Sequence, residues 1–281
     1  MHKDFKTISI GIAFSPNLRA NVFEAARLAK LFSAKLILVH VGDRTPQKEE
    51  ILTLILEEFP EQITNIDVVW KEGAPVEVIL KTCEEYCVDL LILGALKREN
   101  LYQYYIGSIA RKLTRKAQCS VLLLIKPSVH RIPCNHIVVN GLKDPKTKET
   151  VLSSFFVGTL LGANKITIVE EISQQEVHVA VEDDRSLRKA TLVKERIKLR
   201  ENSRVNQILE EVPKDLKPGI NVHVQSIFGR RGYSIGHYAQ VVRADLLIMN
   251  APTKSGLLDR IFPHDIEYIL SELPTDVLII Q

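Results

Sequence analysis

Short apolar runs alternate with amphipathic stretches along the first half of the chain. Ile8 to Phe14, Lys35 to Val41, Ile66 to Trp70, Asp89 to Leu93 and Ser120 to Ile125 are mostly apolar and of strand length. Runs of this kind fit a parallel sheet, whose strands are buried on both faces and so show no polar alternation. Between them, Asn21 to Phe32 sets Val22, Ala25, Ala26, Ala29 and Phe32 on one helical stripe. Glu49 to Phe59 repeats the pattern with Ile51, Leu52, Ile55 and Phe59, and Val76, Ile79, Leu80, Cys83 and Cys87 mark a third helix. Strands alternating with helices predict βαβ units and an α/β sandwich.

The second half repeats the first. Asn65-Ile66-Asp67-Val68 corresponds to Asn221-Val222-His223-Val224, Asp89-Leu90-Leu91-Ile92 to Asp245-Leu246-Leu247-Ile248, and Val121-Leu122 to Val277-Leu278, all 156 positions apart. Leu36-Ile37-Leu38-Val39 instead matches Ile166-Thr167-Ile168-Val169 at a spacing of 130, so the second copy carries 26 additional residues between its second and third strands. That insertion falls within 173–218, and its stretch Arg185 to Arg200, rich in Lys, Arg and Glu, predicts a solvated helix or a charged hairpin. The expected organisation is one domain over 1–127, a Pro-bracketed linker at 128–133 and a second domain over 134–281.

Composition narrows the classes. With 46% hydrophobic and 25% charged residues the chain can bury cores and is not a disordered polymer. Its 37 basic and 34 acidic residues nearly cancel, which excludes the concentrated positive field of a dedicated nucleic-acid binder. No apolar run reaches the roughly 18–20 residues a membrane crossing needs. Four cysteines without a CxxC pair, and no signal peptide, predict reduced thiols in a cytoplasm. Cys83 and Cys87, on a helix's apolar stripe, read as core thiols. The histidines have no zinc-ligand spacing.

Ligands of open parallel sheets bind outside the carboxyl ends of the strands. There the fourth strand runs out at Gly94, followed by Ala95-Leu96-Lys97, a loop with Tyr102, Tyr104 and Tyr105, and Gly107-Ser108 opening a helix. Gly-Ser at a helix start offers backbone N–H groups, a hydroxyl and the positive end of the helix dipole, which favour phosphate. The tyrosines read as loop packing, or as a cover for a base or a partner. Phosphate-loop, dinucleotide-fingerprint, nucleophile-elbow and HExxH motifs are absent from the sequence, which disfavours the classical nucleotidases, dehydrogenases, hydrolases and zinc proteases.

These residues resemble the universal stress protein family in its tandem form. The resemblance rests on Leu38-Val39-His40-Val41, Glu72-Gly73-Ala74-Pro75, Asp89 to Gly94 and the spacing of Gly94, Gly107 and Ser108. It implies two Rossmann-like, HUP-type α/β sandwiches, each a five-stranded parallel sheet with helices on both faces, whose fifth strands pair antiparallel as a pseudo-dimer within the chain, with further dimerisation open. It also implies a stress-response regulator binding ATP with magnesium, or another adenine nucleotide, with at most very slow hydrolysis. Gly94, Gly107 and Ser108 fall on the family's ATP motif, Gly107 and Ser108 as phosphate ligands, with Val39 and Val41 walling the base. Lys97 replaces the motif's second glycine, where a lysine either reaches a phosphate or fills its place. Ala13-Phe14-Ser15 replaces the strand-one Asp, which puts Phe14 at the ligand. In the second copy Asn250, Thr253, Pro263 and His264 replace the motif, and Pro263 has no N–H to donate. The rival reading is an interaction module with decayed sites and an unknown protein partner on the charged insertion. A third is a small anion or apolar ligand at Asn140, Asn250 and His264.

Overall fold

A computed structural model describes residues 2–60, 65–97, 104–177, 180–251 and 265–281. It divides into two compact units, the first Asp4–Pro133 with Asp276–Gln281, the second Cys134–Thr275 with Met1–Lys3.

The first unit runs β1 (Thr7–Ile12), α1 (Leu18–Leu31), β2 (Lys35–Val41), α2 (Pro46–Glu57), β3 (Ile66–Lys71), α3 (Pro75–Glu85), β4 (Leu90–Gly94), a small ribbon of β5 (Leu96–Lys97) and β6 (Tyr104–Tyr105), α4 (Ser108–Lys116) and β7 (Ser120–Leu124). Five strands are parallel in the order β7-β4-β1-β2-β3. Leu36 to Val39 and Leu90 to Leu93 are buried throughout, as sheet centres covered on both faces require. Thr45 accepts from the Lys48 N–H and Pro46 follows it, so α2 begins where the cap and the fixed φ of proline allow.

The second unit runs β8 (His136–Asn140), α5 (Thr147–Leu161), β9 (Lys165–Ser173), α6 (Asp184–Glu210), β10 (Asn221–Gly229), α7 (Tyr233–Val241), β11 (Leu246–Asn250) and α8 (Asp265–Ser271). Its strands are parallel in the order β10-β9-β8-β11. The repeat extends to single atoms. Asp89 Oδ2 accepts from the Lys6 and Thr7 N–H groups at the start of β1, and Asp245 Oδ2 accepts from Asn135 and His136 at the start of β8. In both units one carboxylate satisfies two strand-end donors that the ladder leaves over.

The inserted segment is one helix of 27 residues, α6, opened by a capping box between Asp183 and Ser186. It is not evenly solvated: Ala190, Ile197, Glu201, Val205 and Ile208 are buried on one stripe. Cys87 departs from its expected place on an apolar stripe, since α3 ends before it and it is exposed, with φ of 49°.

Both chain ends belong to the unit built from the other half. The last strand, β12 (Asp276–Ile280), pairs antiparallel with β7 in the first unit, Val277 opposite Leu123, which is the expected pairing of the two fifth strands. Asp276 Oδ1 accepts from the Ile125 N–H at 2.8 Å, and the Gln281 side chain donates to the Ala117 carbonyl. In the second unit, the Lys3 N–H donates to Ser153 Oγ and the His2 ring stacks on Phe156.

Candidate functional site

The carboxyl ends of β1, β2 and β4 and the first turns of α3 and α4 enclose a cleft of about 460 Å³ in the first unit. Its walls are mostly apolar, from Ile12, Val39, Val41, Pro75, Ile79, Leu93 and Leu113. No carboxylate, lysine or arginine lines it among the described residues. Its polar edge is the start of α4. Gly107 is the N-cap residue and supplies no side-chain cap, and the first amide bonded within the helix is that of Arg111, to the Gly107 carbonyl at 2.9 Å. Helix geometry therefore leaves the N–H groups of Ser108, Ile109 and Ala110 for a ligand, beside the exposed Ser108 hydroxyl. A Cβ on Gly107 would come within 2.9 Å of Leu96 Cδ1, so the absence of a side chain keeps this mouth open.

Gly94, Gly107, Ser108, Val39 and Val41 all line this cleft. Phe14 does not line it: its ring lies 4.9 Å from His40 edge-on and 6.0 Å from Trp70 in a stack. Lys97 stands in β5 opposite Tyr104, and its side chain lies outside the described residues, as does Tyr102.

Sequence reasoning missed His40 as a constituent. It lines the cleft while buried, and its Nδ1 lies 3.1 Å from the Ile12 carbonyl. Its Nε2 is 3.3 Å from the Lys48 ammonium, which also donates to the Asp43 carbonyl and sits 5.6 Å over the Phe14 ring. A carbonyl only accepts and an ammonium only donates, so Nδ1 carries the hydrogen and Nε2 the lone pair. The signal was a histidine flanked by valines in an otherwise apolar strand.

The corresponding strand ends of the second unit are built differently. Gly141, Leu142, Glu170, Glu171, Glu201 and Arg204 surround a smaller cavity of about 220 Å³. Glu170, at the repeat position of His40, is buried, and its carboxylate accepts from Ser226 Oγ at 3.0 Å and pairs with Arg204 at 3.3 Å. Burial pushes the Glu170 carboxyl up to about 7, against the pull of Ser226 and Arg204. The Arg204 guanidinium, carried by α6, also donates to the carbonyls of Gly141 and Leu142 and to Glu201. Burial works against the Glu201 charge, yet Arg204 and Arg200 hold its carboxyl below the usual range. Glu171 accepts from the Gly232 and Ile235 amides at the start of α7. Asn140 and Asn250 are joined indirectly: Asn250 Nδ2 donates to Thr147 Oγ1, Thr147 donates to the Leu142 carbonyl, and the Leu142 N–H donates to Asn140 Oδ1. Thr253, Pro263 and His264 lie outside the described residues.

Residues 4–124 match the model of the Universal stress protein family, most of the first unit. This part of the chain belongs to the universal stress protein family. A universal stress protein of Methanocaldococcus jannaschii is 26% identical over 122 residues, 37% of this chain and 72% of its own. Over nearly the whole length, a universal stress protein of Archaeoglobus fulgidus shares the fold with a TM-score of 0.66 at 14% identity, covering 98% of each chain. A universal stress protein solved in complex with cAMP is 25% identical, with a TM-score of 0.33, covering 43% of this chain and 97% of its own. No helix among the described residues is long and apolar enough to cross a membrane.

Proposed function

We propose that the cleft of the first unit binds an adenine nucleotide and that the chain is a nucleotide-responsive stress regulator. The observation that carries this reading is the uncapped start of α4 opening, through Gly107 and Ser108, onto an apolar cleft at the strand carboxyl ends. The amides of residues 108–110 would take the phosphates. Val39, Val41 and Ile79 offer flat apolar surface to a base, and His40 Nδ1–H with its carbonyl partner closes the floor. The lining supplies neither a base to activate water nor a carboxylate to fix magnesium, so the site is read as one for binding, with magnesium arriving on the phosphates.

Isothermal titration with magnesium and ATP tests it. About one nucleotide per chain is expected, lost in Gly107→Val, whose branched side chain crowds Leu96 and the helix mouth. No heat, and no nucleotide released on denaturing the purified protein, would overturn the reading. Lys97→Gly then separates two roles for that position: tighter binding means the lysine fills phosphate space, and weaker binding means it is a phosphate ligand.

A second reading is favoured by α6. Leu192 and Leu199, 62% and 69% exposed, lie seven residues apart on its solvent side among Arg185, Arg188, Lys189 and Arg196. This face suits an acidic protein partner. A partner retained by Gly107→Val but lost in Arg188→Glu with Arg196→Glu would support it.

A further inference from the structure

Two of the four thiols face each other. Cys83 on α3 and Cys119, the residue before β7, are both buried and free, and their side chains are in thiol–thiol hydrogen-bond contact. The backbone holds the two segments together independently of the side chains. The Cys83 carbonyl accepts from the Val88 N–H at 2.9 Å, and the next residue, Asp89, accepts from Ser120, the neighbour of Cys119, at 3.0 Å. β4 and β7 then run on in register from Leu90 opposite Ser120. Hydrogen-bonded thiols need only side-chain rotation and a small approach to reach the S–S bonding distance of about 2 Å.

We propose that Cys83 and Cys119 are a reversible dithiol that closes to an intrachain disulfide on exposure to hydrogen peroxide. The Cys119 sulfur, as thiolate, attacks one peroxide oxygen; the O–O bond breaks and the departing hydroxide takes up the thiol's proton as water. Cys119 is then a sulfenic acid. The Cys83 sulfur attacks the Cys119 sulfur, the S–O bond breaks, and the hydroxide leaves with the Cys83 proton as a second water. Two thiols are oxidised and one peroxide is reduced to two waters. The order of attack follows from the contact: the Cys83 thiol and nearby backbone N–H groups donate to the Cys119 sulfur and hold its acidity up, while Cys83, sharing that hydrogen bond, is held protonated. Cys87, exposed at the end of α3, and Cys134 have no such facing thiol among the described residues.

The bond would tie α3 to the start of β7. Since α3 also carries Pro75 and Ile79 into the cleft wall, oxidation reports directly on the helix that shapes the site.

The experiment is peptide mapping of the full chain under non-reducing conditions after graded hydrogen peroxide, with free thiols alkylated first. A cross-linked peptide pair holding Cys83 and Cys119, removed by dithiothreitol, is expected, together with a rise in melting temperature that dithiothreitol reverses. In Cys83→Ala, Cys119 should advance to sulfinic acid for want of a resolving thiol. Recovery of Cys83 and Cys119 as alkylated thiols while Cys87 is oxidised would overturn the proposal. So would a cross-link through Cys87 or Cys134. Because the wild-type map decides the matter, a variant that folds poorly does not blunt the test.

Discussion

At the scale of single residues, the second unit hides its chemistry in a carboxyl that resists its charge. Glu170 is 2% exposed, and its proton leaves only near pH 7 because burial outweighs Ser226 and Arg204. The folded chain therefore holds this proton between the ordinary carboxyl value of 4.5 and about 7, where the unfolded chain has lost it. Stability from this group is greatest at the acid end of that window and declines as pH rises through 7. Glu170→Gln, which keeps the shape without the charge, should raise the urea midpoint at pH 8 by about 2 kcal/mol and leave it nearly unchanged at pH 5. An equal effect at both pH values would refute the assignment. Nothing in the sequence marked this residue, because its meaning depends on Arg204, 34 positions away, and on Ser226 in a different strand. Gly94, Gly107 and Ser108 were legible for the opposite reason: their roles lie in backbone geometry at fixed distances along the chain.

At the scale of elements, the sheets were readable and α6 only half so. Strands such as Leu36 to Val39 announce themselves because both faces are covered, so the whole run must be apolar. The buried stripe of α6 contains only Ala190, Ile197, Val205 and Ile208 among many charges, and it includes a carboxylate, Glu201, that a hydrophobic pattern counts as solvent. That stripe places Arg204 on the strand ends of the second unit, where it meets two carboxylates and two carbonyls. Removing the guanidinium strands the buried charges of Glu170 and Glu201. Arg204→Ala should thus cost on the order of 3 kcal/mol in chemical denaturation. Leu192→Ser with Leu199→Ser, on the opposite side, should cost less than about 0.5 kcal/mol. Equal losses from the two variants would mean that α6 packs through another face.

At the scale of the whole molecule, the internal repeat explains the similarity of the units and the insertion explains their difference. One copy keeps an open apolar cleft; the other fills the corresponding place with its own arginine. The strand exchange also has a measurable consequence. β7 is covered along one edge by β12, and without it Val121, Leu122 and Leu123 would present unpaired N–H and C=O groups in an apolar strand. Deleting residues 276–281 should convert the protein into dimers or larger species in sedimentation velocity. A monomeric truncation of unchanged stability would show that the edge is protected otherwise.

The crossing of the chain ends also sets an order of events on the ribosome. Asp4–Pro133 emerges first, yet its sheet waits for β12, which is synthesised only after all of Cys134–Thr275. The second unit takes its early contribution, His2 and Lys3, from the opposite end and is fully supplied sooner. The half translated first is therefore the half finished last, and during elongation its β7 edge is a natural station for a chaperone.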